Sequence, residues 1–198
     1  MSAGTTSFNT AATTAAVTNR FVASTNMANG AYTIANASPA WSGGCRITAT
    51  ITGVTGNDTP GTLTVVGTDL AGNAITETIT LVAGGTATGS KVFRTVTSAT
   101  QAGWVISGGN DTIVVGCEAG NIVCGSNGTL YSLLINVTAA ATVVISDSAK
   151  TINTFPVSAA VGMYTFGPGL DFTGYLRIAT TSTNDVTAVV SATNPTAA

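Results

Sequence analysis

Eight carboxylates, three thiols and no histidine make up most of the reactive repertoire of this 198-residue chain. Without histidine the chain lacks the commonest general base, the usual partner of a nucleophilic Ser or Cys, and the commonest transition-metal ligand. A pair of carboxylates flanking a scissile bond is the remaining hydrolytic option. The candidates are Asp58, Asp69, Glu77, Asp111, Glu118, Asp147, Asp171 and Asp185, and most stand beside Gly, Asn or Ser in predicted turns. An Asp in such a turn accepts hydrogen bonds from its own local backbone, which accounts for it without catalysis. Loop oxygens suited to calcium occur at Asn57 with Asp58, Asp69 with Asn73, and Asn110 with Asp111, but none forms a dense ligand loop. Cys117 and Cys124 lack the spacing of a zinc knuckle, and only Cys45 remains to add a thiolate. Three cysteines cannot all pair within one chain, and as buried thiols they serve as small hydrophobes. No phosphate-cradling GxxxxGK[ST] loop is present. The expectation is a chain with no catalytic residue, no cofactor and no bound metal.

Glu77 is the most informative charge. It shares parity with Ile75, Ile79 and Leu81, so an ideal strand sets its carboxylate on the apolar face. Arg94 lies between Val92 and Val96 on the following strand, and an ion pair across that hairpin is one way to compensate the burial. The alternatives are that the face with Ile75 and Ile79 is the exposed one, or that a bulge re-aims Glu77.

The elements that would position these groups are strands. Thr, Val and Ile dominate, charged pairs at helical spacing are missing, and helix signals are poor throughout. Only 7% of residues are charged and the net charge is −2, so there is no basic stripe to neutralise phosphates, and nucleic-acid binding is not expected. Mean hydropathy is +0.42, yet polar residues interrupt every apolar run before the roughly 18 residues of a spanning helix, so no membrane partner is expected. The N-terminus lacks the basic and continuous apolar regions of a secretory signal, which predicts synthesis in the cytoplasm. Trp41 and Trp104 stand beside Gly-containing loops, and Tyr32, Tyr131, Tyr164 and Tyr175 lie mostly inside strands, which predicts core packing rather than a stacking platform.

Residues 1–28 are a Thr, Ala, Ser and Asn tract without sustained alternation, read as an extended N-terminal arm that orders on a neighbouring subunit or frays. From Ala31, β-branched runs recur between turn signals; in CRITATITG, Ile47, Ala49 and Ile51 share one face while Arg46, Thr48, Thr50 and Thr52 share the other. The turns GVTGNDTPG and TDLAGN favour hairpins and a meander. A Gly- and Asn-rich segment at 118–128 marks a boundary, after which a second set of strands runs to an exposed tail, NPTAA. The predicted fold is all-β, with two antiparallel sandwich or barrel-like domains in tandem: residues 1–28 the arm, 29–119 a β-sandwich domain, and 120–198 a second small β-domain.

Residues 61–100, GTLTVVGTDLAGNAITETITLVAGGTATGSKVFRTVTSAT, resemble a pattern in structural proteins of tailed bacteriophages, where a TVTGTD hairpin leads into a GSKxFxTVTS strand. The stretch from GTLYSLLINVTAAATVVISDS to YLRIATTSTNDVTAVV is similar to a compact β-domain also found on virion proteins. The resemblance implies a non-enzymatic virion structural protein, first of all a capsid decoration or cement protein on the outer capsid surface. Its implied partners are the major capsid protein and further copies of itself, as a trimer, since closed symmetry hides β edges. A head fibre, tail or head–tail adaptor component is the alternative within that context. A carbohydrate-binding module is the alternative of another class, and it requires Trp41 or Trp104 to be exposed. The resemblance transfers no site residue.

Overall fold

A computed structural model of the chain describes residues 5–10, 15–53, 58–105, 111–137, 142–156, 159–180 and 185–192. The expected tail lies outside them, as do Asn57 and Asn110. The described chain is all-β. In chain order its strands are β1 (Thr5–Thr10), β2 (Val17–Asn26), β3 (Ala31–Tyr32), β4 (Cys45–Thr52), β5 (Thr62–Thr68), β6 (Ala74–Thr80), β7 (Thr86–Phe93) and β8 (Thr95–Ala102). There follow β9 (Thr112–Cys117), β10 (Asn121–Cys124), β11 (Gly128–Val137), β12 (Val143–Ser146), β13 (Thr151–Phe155), β14 (Gly162–Phe172), β15 (Leu176–Thr180) and β16 (Asp185–Ala192). A single 3-10 turn, Met27–Asn29, is the helical element among the described residues, as expected where β-branched residues prevail.

The chain divides into two compact units, residues 16–40 with 44–118, and residues 1–15 and 41–43 with 119–198. The first unit contains two four-stranded antiparallel sheets, ordered β2-β9-β4-β7 and β3-β8-β5-β6. The second contains β1-β16-β11-β14 and β10-β15-β12-β13, also antiparallel. The sequence boundary between 119 and 120 falls beside this division. The segment read as an arm carries β1 and β2, which pair with β16 and β9 of the same chain. Ladder bonds that seemed to need a neighbouring subunit are therefore made internally.

Strand alternation builds both cores. On β4, Cys45, Ile47, Ala49 and Ile51 are buried, while Arg46 and Thr50 are partly exposed and Thr52 is exposed. In the second unit, Leu130, Leu133 and Ile135 of β11 meet Val143 and Ile145 of β12, Leu176 and Ile178 of β15, and Val186, Ala188 and Val190 of β16 in one cluster. Residues from both sheets share that core, which is the sandwich arrangement.

The expected meander is not the topology. β5 pairs with β6 and β12 with β13 as hairpins, but β4 lies between β7 and β9, and β8 lies beside β5. The run KVFRTVTSAT, read as one strand, bends at Arg94 and passes from one sheet to the other. Each sheet has one apolar face to cover, and crossing between sheets covers both faces at once.

Glu77 sits near such a crossing. It is buried on the apolar face of β6, as its parity requires, but the expected ion pair with Arg94 is not formed. Arg94 is exposed at the β7–β8 bend, and its backbone N–H donates to Thr68 O. Glu77 Oε1 instead accepts from Ser90 N at 2.5 Å, Ser90 Oγ at 2.9 Å and Lys91 N at 3.2 Å. Those amides are available because β7 bulges: Val92 and Thr88 stand opposite Arg46 and Thr48, so a four-residue step faces a two-residue step. Gly89 leaves the room, since a Cβ there would collide with the Glu77 carboxylate. Charge-assisted bonds of this kind are worth about 1.5–3 kcal/mol each in a buried setting. Glu77→Gln and Gly89→Ala are each expected to lower unfolding free energy by about 1–3 kcal/mol in urea titrations. The double substitution should cost less than the two losses added, because both act on one contact.

Candidate interaction surface

Most of the other carboxylates also serve the fold. Asp69 Oδ1 accepts from Ala71 N and Asn73 N, both at 2.8 Å, closing the β5–β6 hairpin. Asp147 does the same at the β12–β13 hairpin, accepting from Ala149 N and Lys150 N at 2.8 Å and, through Oδ2, from Thr173 N at 3.4 Å. Asp171 Oδ1 accepts from Thr129 Oγ1 at 2.7 Å between β14 and β11. Arg46 grips Glu118 with two bonds of 2.7 Å, the bidentate geometry that suits a guanidinium and a carboxylate. Asp185 begins β16 opposite Val137. Among the described residues no three His, Cys, Asp or Glu side chains converge as metal ligands.

Asp58 and Asp111 are brought together, a pairing that no local pattern announced because they lie in separate loops. Asp111 is covered from solvent, though only shallowly, and its Oδ1 has no hydrogen-bond partner. Burial, the charge of Asp58 and a hydrogen bond to Asp58 together push the Asp111 carboxyl above the usual range. Two carboxyls in contact cannot both ionise cheaply, so they hold a proton more readily than either alone. Asp147 behaves oppositely. Burial pushes its carboxyl up, but the Ala149, Lys150 and Thr173 amides and the Lys150 charge outweigh that and draw it below the usual value.

The aromatic rings are mostly spent inside. Trp41 and Tyr175 are buried, Tyr32 donates to Met27 O, and Phe155 packs edge-on against Tyr164 and Phe166. Trp104 is half-buried with its Nε1 enclosed. Sugar stacking therefore gains nothing from Trp41.

Two neighbouring rows on the outside of the second unit are neutral, while Lys150 and Asp171 are exposed elsewhere on it. On the outer side of the sheet β1-β16-β11-β14, one row runs Met163, Leu134, Thr187 and the next runs Thr165, Ser132, Val189. Neither row contains a charged side chain. Met163 is 66% exposed, Val161 just before β14 is 61% exposed, and Tyr131 is also exposed. β14 is an edge strand, and Gly167, Pro168 and Gly169 interrupt its ladder to β11. An exposed sheet edge beside apolar side chains offers unpaired backbone groups and apolar area to an approaching chain.

No protein-family model, curated protein or solved structure matches this chain.

The two shifted carboxyls have opposite pH signatures. The raised value of Asp111 adds stability that is complete below the unfolded carboxyl value, about 3.9, and is lost as pH rises through the folded value. Asp111→Asn is expected to raise Tm at neutral pH and to flatten its decline as pH rises above about 4. The lowered value of Asp147 adds stability that is present above about pH 3.9 and is lost as pH falls through the folded value. Asp147→Asn should lower Tm at neutral pH and change it less below about pH 3. Thermal unfolding of each variant across that pH range checks both signs.

Proposed function

We propose that this chain is a non-enzymatic virion structural protein of a tailed bacteriophage. It acts as a capsid decoration or cement protein that bridges major capsid protein capsomers on the outer surface and assembles with copies of itself as a trimer. The carrying observation is how side-chain chemistry is spent. Asp69, Asp147, Asp171, Glu77 and Glu118 all bind the chain's own backbone or side chains, while two outer rows of the β14 sheet are neutral Thr, Ser and aliphatic residues. A protein arranged in this way gains from static association over area, not from turnover at a cleft. The phage-like segment 61–100 supports the same reading, because its residues form β5 to β8, with the Glu77 contact binding β6 to β7.

Cryo-EM localisation on purified particles tests the proposal. Copies repeated over capsomer junctions are the expected result. Density confined to the tail or portal vertex would replace cement with a fibre or adaptor role, and absence from particles would remove the virion reading altogether. Met163→Asp tests the surface: it should weaken binding to undecorated capsids by about tenfold or more while leaving Tm within a few degrees of the parent. Co-sedimentation measures that loss.

A further inference from the structure

Cys45 opens β4 and Cys117 closes β9, and these are the two central strands of the sheet β2-β9-β4-β7. Cys117 stands opposite Ile47, two residues from Cys45, so strand parity turns both thiols to the same inner face. Both side chains are 0% exposed, and their sulfurs are 2.8 Å apart although 72 residues separate them in sequence. Non-bonded carbon atoms, smaller than sulfur, rest at about 3.5–4.0 Å. A disulfide bond is about 2.05 Å, so joining the two sulfurs takes a movement of roughly 0.8 Å. Cys124 belongs to the other unit, where its sulfur lies 3.6 Å from the carbonyl and hydroxyl oxygens of Ser126.

We infer that Cys45 and Cys117 are a disulfide site, a covalent staple between β4 and β9 that forms under oxidising conditions and leaves Cys124 reduced. It is independent of the virion proposal. The oxidant is a small-molecule disulfide such as oxidised glutathione. One cysteine thiolate attacks it, forming a mixed disulfide and expelling a glutathione thiolate, which takes up a proton. The second cysteine thiolate then attacks the protein sulfur of the mixed disulfide and expels the other glutathione. Two protein thiols lose two protons and two electrons, and one oxidised glutathione becomes two thiols.

Folding sets the order of events. Burial, and then the hydrogen bond with Cys117, push the Cys45 thiol well above its ordinary value, so the closed sheet suppresses the thiolate that exchange needs. The bond therefore forms while β4 and β9 are docking or during their opening. It encloses the segment from β4 to β9, most of the first unit. A loop of that length removes much conformational freedom from the unfolded chain.

The test is refolding of the full chain in a glutathione redox buffer, acid quenching, alkylation in denaturant without reductant, and peptide mapping. The expected result is a Cys45–Cys117 peptide pair lighter by two hydrogen atoms than its reduced form, with alkylation on Cys124. Cys124→Ser should form the same bridge. Oxidised protein should melt higher than reduced protein by on the order of 10 °C. Alkylation of all three cysteines after oxidative refolding would overturn the inference, as would a bridge to Cys124. A Cys45–Cys117 bridge that leaves Tm unchanged would overturn its role as a staple.

Discussion

Backbone hydrogen bonding is the constraint on which the rest of this structure depends. A chain with almost no helix and 7% charged residues must satisfy its peptide groups through antiparallel ladders, because few side chains are available to do so. Each ladder is a sheet with one apolar face, so sheets occur in pairs that share a core, as the cluster of Leu133, Ile145, Ile178 and Ala188 shows. Where a ladder slips, a side chain or a glycine repairs it. Glu77 takes the amides that the β7 bulge releases, and Thr97 Oγ1 donates to Val66 O where the β5–β8 register shifts. Gly67 permits that close approach, since a Cβ there would strike the Thr95 carbonyl.

The same constraint shapes the surface. Glu77, Asp111 and Asp147 are buried and Arg46 pairs with Glu118, while Lys91, Arg94, Lys150 and Asp171 are exposed among the hydroxyls and scattered aliphatic groups of the strand faces. Hydroxyl-rich strand faces are soluble without strong electrostatic repulsion, so copies and partners can approach closely. The Asp58–Asp111 contact and the Cys45–Cys117 contact both lie within the first unit.

Much of the local structure was legible in the residues. The alternation of Ile47, Ala49 and Ile51 against Arg46, Thr48, Thr50 and Thr52 marked the two faces of β4, although Thr48 is buried too, and the parity of Glu77 with Ile79 placed its carboxylate on the buried side. Asp69, with Gly72 and Asn73 close behind it, and Asp147, followed by Ser148 and Ala149, were readable as turn builders. These signals are local: side chains alternate with a period of two, and an Asp caps amides within a few residues of itself.

Tertiary structure alone decided which strands pair, which sheet each joins and which distant groups meet. Nothing in KVFRTVTSAT marks the bend at Arg94 where the chain changes sheet, and nothing in the Thr-rich first 28 residues marks β1 for β16 or β2 for β9. The Glu77 partner was missed because backbone amides exposed by a bulge leave no residue-type signal, whereas Arg94 did. Asp58 with Asp111 and Cys45 with Cys117 became neighbours only through the tertiary fold, in which β4 and β9 lie side by side. From residue 31 onward the sequence by itself determined most strands, faces and turns, because those depend on a few consecutive residues. Pairing between strands depends on which apolar faces cover one another across the whole unit, and that is settled only when the chain closes on itself.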